Sequence, residues 1–474
     1  MGPRWQEILG TVMAALTHLA IGAIGGYPGV TLDQLTDLKS DDLILIGYHE
    51  ALFASLVHIS SAIGCICSGV LQVKLGQRTT LLSVLPLGLG AWLALAFSNS
   101  IWLVHLARVV QGLVMGVMVV ASNNYVVEIA HSSLRGRLTG CVDITRQIGY
   151  LFVYAIGYFE FPWRYIAVLC AVTAIPPFLG LWLLPQSPRW LASQGRIKEA
   201  HSALKFYRGE KYDTLTELNL IKDQLDSLDS SDGVLSQVKM LKKPIIIPAF
   251  IFLAIFLFTS QFTGNFVILT YSGKIFKNAS ASVTPKTSLL IIGLVRVLGT
   301  FTYICISDSL GRKTSMIGSL LLCAPSLGAM GGYFFLKNGG SDVSLLGWLP
   351  LTATVSLAFF ICIALPVMSM IPGELLPTSV RALGTSILFL INSLGSFCVS
   401  HTYPSIKNKL GQEGAFWIYG IVCVMLAFVA FFIIPETKGR ELEEISQEFC
   451  EKFYSLPSRR FTLAKKQRKE SIAI

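Results

Sequence analysis

Charge is scarce in this chain. Only 14% of its 474 residues are Asp, Glu, Lys or Arg, and the acidic ones number 28. A soluble globular domain carries about 25% charged residues, so a water-facing surface over the whole chain is excluded. Cysteine occurs ten times, but no CxxC pair exists. Nine of the ten fall in apolar stretches, and Cys65 and Cys67, two apart, point to different sides of a helix. That pattern reads as small packing residues and argues against a metal or disulfide framework. A GxxxxGK[ST] phosphate loop is missing as well, which removes the cradle that nucleotide-driven pumping needs. No nucleophile–base pair and no metal-ligand cluster is visible, so the expectation is a protein that is not an enzyme and uses no cofactor.

Apolar sequence takes the place of charge. Hydrophobic residues make up 53% of the chain and the mean hydropathy is +0.61. Twelve windows of about 20 apolar residues recur, at 8–29, 47–72, 80–98, 101–125, 138–159, 164–184, 244–271, 287–307, 314–336, 346–372, 382–403 and 414–434. Continuous runs of this kind predict helices, because a membrane barrel shows segments of about 10 alternating residues. The expected fold class is an all-α polytopic membrane protein with twelve transmembrane helices. Residues 1–184 hold the first six spans, 185–243 form a polar linker, 244–434 hold the second six, and 435–474 form a tail. The first run lacks a cleavage-site pattern and is kept as span one.

An even number of spans puts both termini on one side. That side collects 27 Lys and Arg against 8 on the other, with Arg108, Arg146 and Arg296 left inside spans. The positive-inside rule makes it the cytoplasm. The sequence pI of about 9.1 then reflects inner loops and the tail residues Arg459, Arg460, Lys465, Lys466, Arg468 and Lys469. These read as a basic end facing membrane lipids, with no nucleic-acid partner. The sequon Asn278-Ala279-Ser280 falls outside, which predicts glycosylation at Asn278 and, with no ER-retention signal in the tail, a plasma-membrane location. Within the linker, Arg196 to Tyr207 and Leu215 to Leu228 set apolar residues at helical spacing among charges, the pattern of amphipathic helices on the inner face.

The two sets of spans repeat one another. Glu128 is followed seven residues later by Arg135, and Glu374 by Arg381. Gly69, Leu71, Lys74, Gly76, Gln77 and Arg78 follow span two, and Asp308, Leu310, Gly311, Arg312 and Lys313 follow span eight. Span six closes in Pro185-Gln186-Ser187-Pro188-Arg189 and span twelve in Pro435-Glu436-Thr437-Lys438-Gly439-Arg440. Three matches in the same order make a duplication. Charges at equivalent inner ends suit two halves that rock against each other.

These residues carry a resemblance to the sugar porter family of the major facilitator superfamily, over nearly the whole chain. Pro185-Gln186-Ser187-Pro188-Arg189-Trp190-Leu191, then Gly195-Arg196 and Glu199-Ala200, resembles its signature after span six, with Gln186 in place of the usual Glu. Pro435 to Arg440 resembles the signature after span twelve. Gly26-Tyr27-Pro28 and Pro372-Gly373-Glu374-Leu375-Leu376-Pro377 are most similar to the arthropod branch of facilitative trehalose and hexose carriers. The resemblance implies the major facilitator fold in two pseudo-symmetric six-helix bundles. It also implies an inner-face lock, with Glu374, Arg381, Asp308 and Arg312 in one cluster, Glu128, Arg135 and Arg78 in the other, and Arg189 and Glu436 beside them. Alternatively these charges only anchor helix ends at the headgroups. The family usually has Asp and Arg where this chain has Val73 and Lys74, and Arg where it has Gln77, so the first cluster is depleted.

A sugar offers hydroxyls and no charge, and amides that donate and accept together suit it. Gln147, Gln261 and Asn392 lie in otherwise apolar spans five, seven and eleven, and the resemblance places sugar contacts at all three. Asn265 is one residue early against the family pattern, about 100° around a helix, and is kept as a further contact. Phe266, Ser260 and Ser369 replace expected contacts. Arg296 stands for an expected Asn, and two readings stand side by side: it meets water or a ligand, or it closes the cavity through a carbonyl. Proton-coupled relatives have an Asp after Gly-Tyr in span one. Pro28 is there instead, and Arg108 is retained, so downhill uniport of a neutral sugar is expected. His18 is the other titratable group in that span's interior, and lone histidines are usually packed or hydrogen-bonded. The competing expectation is a non-transporting sugar sensor, or a carrier retuned to another small solute.

Overall fold

The computed structural model describes residues 5–39, 42–130, 135–209, 212–229, 240–279, 283–436, 445–446, 448–450 and 452–453, leaving out the side chains of 135–137, 139, 224–229, 307–309, 372, 378–379 and 381–382. All regular structure among these residues is helical. The first half comprises α1 (Trp5–Thr31), α2 (Tyr48–Leu75), α3 (Gln77–Ala96), α4 (Ile101–Ile129), α5 (Arg135–Tyr158), α6 (Trp163–Ala171) and α7 (Ile175–Trp182). The linker holds α8 (Pro188–Ser193), α9 (Ile197–Arg208) and α10 (Thr214–Asp229). The second half comprises α11 (Ile247–Ser260), α12 (Asn265–Ala279), α13 (Pro285–Leu310), α14 (Arg312–Asn338), α15 (Leu349–Leu375) and α16 (Thr378–Ile433).

Ten of these helical stretches are long and apolar enough to cross a membrane, and two features reconcile that number with twelve windows. α6 with α7, and α11 with α12, each make one span. α16 makes two, because Gly411 at φ 74° breaks the run between its eleventh and twelfth spans. α5 fails on hydropathy alone: Asp143, Arg146 and Gln147 interrupt its apolar sequence.

Small residues bring the helices together, as lipid tails supply no hydrophobic drive between them. A Cβ at Gly22 would sit 2.2 Å from the Arg146 carbonyl oxygen, and one at Gly149 would sit 2.3 Å from that of Leu19, so α1 and α5 touch backbone to backbone. Between the halves, α2 packs on α16, α5 on α13 and α1 on α12. Shifting each span by six interchanges the first two pairings and returns the third to itself, which is the pseudo-twofold relation of the halves.

The inner loops repeat the relation in detail. Gly76 (φ 75°) and Gly311 (φ 86°) each turn one helix into the next. Gln186 accepts from the Arg78 amide at 3.0 Å, and Glu436 accepts from the Arg312 and Lys313 amides at 3.1 and 3.2 Å. Both side chains satisfy first-turn donors that the following helix leaves open. A Cβ on Gly76 would lie 2.5 Å from Gln186, and one on Gly311 would lie 2.8 Å from Glu436.

The linker is docked on the first half. Arg208 is 4% exposed and bonds Glu7 of α1 at 2.8 Å, Glu217 of α10 at 2.8 Å and the Ile129 carbonyl at 2.7 Å. Tyr207 meets the Tyr125 hydroxyl at 2.6 Å. Lys452 donates to the carbonyls of Phe432 and Ile433 at the end of α16. The Trp5 end and the last described residues therefore lie on the linker's face.

Candidate functional site

The five polar side chains expected to face a solute fall into two groups, one built across the halves and one within the second half. In the first, Arg296 of α13 donates Nε to Oε1 of Gln147 on α5 at 3.0 Å, and Nη1 to Oδ1 of Asn265 on α12 at 2.8 Å. Its guanidinium lies 5.3 Å from the Tyr150 ring centroid, within cation–π range. This group spans both halves. In the second, Gln261 donates to Asn392 of α16 and to Ser260 Oγ at 2.8 Å, while Ser396 donates to Gln261 Oε1 at 3.0 Å.

Asn265 reaches Arg296 because span seven is not a continuous helix. Residues 261–264 form turns between α11 and α12, with Gly264 at φ 82°, so an angular offset computed for an unbroken helix does not apply. A discontinuous helix at mid-depth is how many transporters expose polar groups to a cavity. Phe266 lies against His58 of α2, ring centroids 4.9 Å apart. Ser369 donates to its own helix, to the Pro366 carbonyl at 2.8 Å. On α5, Asp143 and Arg146 pair at 2.6 Å and keep 23% and 30% of their side-chain surface accessible. Arg108 is 1% exposed. It donates to the carbonyls of Phe53 and Ile24, both at 3.2 Å, and to Gln111 at 2.9 Å. His18 is hydrogen-bonded to Ser122 at 2.7 Å. Two surface clefts lie elsewhere, one apolar against Trp417 and Phe428 and one polar between the linker and Lys74 to Thr79.

The inner-face charges form clusters within each half. Arg312 pairs with Glu374. The equivalent of Arg312 is Gln77, and its amide donates to both Glu128 oxygens at 2.9 and 3.0 Å, with Ser187 bonded to the same carboxylate. Arg78 does not reach Glu128: it donates to the carbonyls of Leu181 and Trp182, both at 2.7 Å. Lys313 does the same for Phe431 in the other half, at 2.7 Å. Arg189 is exposed on α8 with its charge beside Glu128. The side chains of Arg135, Asp308 and Arg381 lie outside the described residues, as do the tail basics from Arg459 onward. Asn278 is exposed near the end of α12.

The outer mouth differs, because three ion pairs there cross between halves, beside the Asp42–Arg164 pair within the first half. Asp33 meets Lys277 at 3.0 Å, Glu50 meets Lys274 at 2.7 Å, and Glu160 meets Lys286. Ser55 of α2 meets His401 of α16 at 3.2 Å. Sequence reasoning missed these, although it held a signal: all three acids belong to the first half and all three lysines to the second.

A family model described as "Sugar (and other) transporter" matches residues 12–449. The chain is 29% identical over 447 residues to a facilitated trehalose transporter of Aedes aegypti, covering 94% of this chain but only 55% of that protein. It is 28% identical over 445 residues to a facilitated trehalose transporter homologue of Drosophila simulans, covering 94% and 91%. Among solved structures, the proton:xylose symporter XylE bound to 6-bromo-6-deoxy-D-glucose is similar with a TM-score of 0.75 at 21% identity, covering 94% of this chain and 99% of that one. The inward-open xylose transporter of E. coli gives 0.75 at 22%, covering 92% and 98%. These neighbours share the fold of this chain. With the family model spanning nearly all of it, the chain belongs to the sugar transporter family of the major facilitator superfamily, an integral membrane protein of a family of carriers.

Proposed function

We propose that this chain is a facilitative carrier for a small neutral sugar, a hexose or trehalose, working by alternating access. The observation that carries the reading is the Gln147–Arg296–Asn265 contact, a polar group built from both halves at the seam between them. A site shared by two bodies that tilt is exposed to one side and then to the other. The state described here is closed outside: three ion pairs cross the outer mouth, while the described inner pairs stay within one half. The inner face is taken as cytoplasmic and the membrane as the plasma membrane; a glycosidase-sensitive mobility shift abolished by Asn278→Gln tests the first, and labelling by a membrane-impermeant reagent on intact cells tests the second.

Downhill uniport follows from Arg108. Its partners are two carbonyls and an amide, and Pro28 fills the position after Gly26-Tyr27. With no carboxylate there to take and release a proton, uptake is expected to be indifferent to a protonophore. The deciding experiment is counterflow of labelled glucose or trehalose in liposomes holding the purified protein. Gln261→Ala should lower exchange at equal protein content; exchange at the parental rate removes Gln261 from the site. The second reading, a sugar sensor or a carrier retuned to another small solute, rests on Val73, Phe266, Ser369 and Arg296 standing where the family usually has other residues. It predicts binding without exchange in the same vesicles.

A further inference from the structure

Arg296 carries a full positive charge at the seam, and no counter-charge pairs with it among the described residues. It is 2% exposed, and two of its five N–H groups are used, one on Gln147 and one on Asn265. The second Nη1 hydrogen and both Nη2 hydrogens have no acceptor among the described residues. Asp143, on the neighbouring α5, is held by Arg146. Arg108, the buried arginine of α4 within the first half, rests on carbonyls and an amide. A guanidinium cannot escape by losing its proton, so the seam carries a fixed positive charge in a segment where charge is costly. Amide dipoles and the Tyr150 ring offset part of that cost. An anion lying against the free Nη edge would offset more.

We propose that the same site also takes a sugar acid, a ring or chain of hydroxyls ending in a carboxylate, in addition to neutral sugars. This rests on the carrier reading above. A planar carboxylate matches the fork of guanidinium hydrogens in a bidentate pair. The hydroxylated remainder meets the amides and hydroxyls of Gln261, Asn392, Ser260 and Ser396, which need no charge. A phosphate dianion fits less well, since Arg146, the cation next to Gln147 on α5, is already paired with Asp143.

The test uses the purified full-length protein in liposomes with labelled glucose and labelled glucuronate. The proposal expects glucuronate to compete with glucose exchange and to exchange itself. Its net entry should respond to an imposed membrane potential, as one negative charge moves with it, while glucose entry should not. Arg296→Asn should lower the ratio of glucuronate to glucose apparent affinity about tenfold, the loss expected for a charged hydrogen-bonded pair. Arg296→Lys, keeping charge without the fork, should recover part of the ratio. Glucose exchange that glucuronate neither inhibits nor accompanies, or a ratio unchanged in Arg296→Asn, overturns the proposal and leaves the carrier reading standing. Absence of exchange and binding for both solutes overturns the two together. If Arg296→Asn fails a monodispersity check, competition and potential response in the parental protein decide.

Discussion

Gln77 and Arg312 occupy equivalent positions, each the first residue after a left-handed glycine, yet one gives its carboxylate partner an amide and the other a charge. Removing the carboxylate charge therefore has unequal consequences. Glu374→Gln strands the Arg312 cation and should cost about 1–2 kcal/mol in thermal unfolding, whereas Glu128→Gln removes a charge whose hydrogen-bond partners, Gln77 and Ser187, are neutral and should cost less than about 1. Equal losses would contradict the assignment. Asp42, in the loop before α2, makes a separate point about pH. Hydrogen bonds from Arg164, opposed in part by burial, hold its carboxyl down from 3.8 to about 2. A depressed carboxylate stabilises the fold above its unfolded value and loses that contribution as pH falls toward the folded one. The stability gap between the parental chain and Asp42→Asn should thus stay level from about pH 8 to 5 and narrow only below about 4. Residue types at the seam were legible in the sequence, because amides inside apolar runs stand out. Their partners were not: which oxygen Arg296 meets depends on three helices converging from both halves.

Hydropathy located the helices and mistook their continuity. The window at 244–271 reads as one span, but Gly264 and the turns before it split the span into α11 and α12, and that break brings Asn265 to Arg296. The opposite error occurs in α16, where a short connection and Gly411 leave two spans in one run. For the linker, helical spacing gave α9 and α10 while concealing their anchor. Arg208 is one of ten basic residues in a polar stretch, and nothing local distinguishes it, since its acids are Glu7, far back in the chain, and Glu217, nine residues on. Breaking a buried ion pair from one side leaves a charge uncompensated, at about 3–5 kcal/mol. Arg208→Met should accordingly lower the melting temperature and expose α9 and α10 to limited proteolysis, while Arg196→Met, which removes an exposed pair with Glu199, should do neither.

At the scale of the whole molecule, the duplication was readable from inner-face residues, and the structure extends it to the way the halves meet: α2 on α16 and α5 on α13 exchange under the pseudo-twofold. The facing of the carrier was not readable, because a pair such as Asp33 and Lys277 forms only when the halves tilt one way. Exposed pairs contribute about 0–1 kcal/mol each, so three together can shift the balance of facings by about tenfold without locking it. This is suited to a carrier that must reopen. The direct measurement is the distance between site-specific spin labels at Leu38 and Leu345, exposed residues of the outer loops of the two halves, recorded in liposomes. The chain as it stands should give mainly the short distance of a closed outer mouth. Lys274→Ala, Lys277→Ala and Lys286→Ala combined should raise a second, longer population about tenfold. A single unchanged distance in that variant would contradict a rocking pair of halves held shut by these ion pairs.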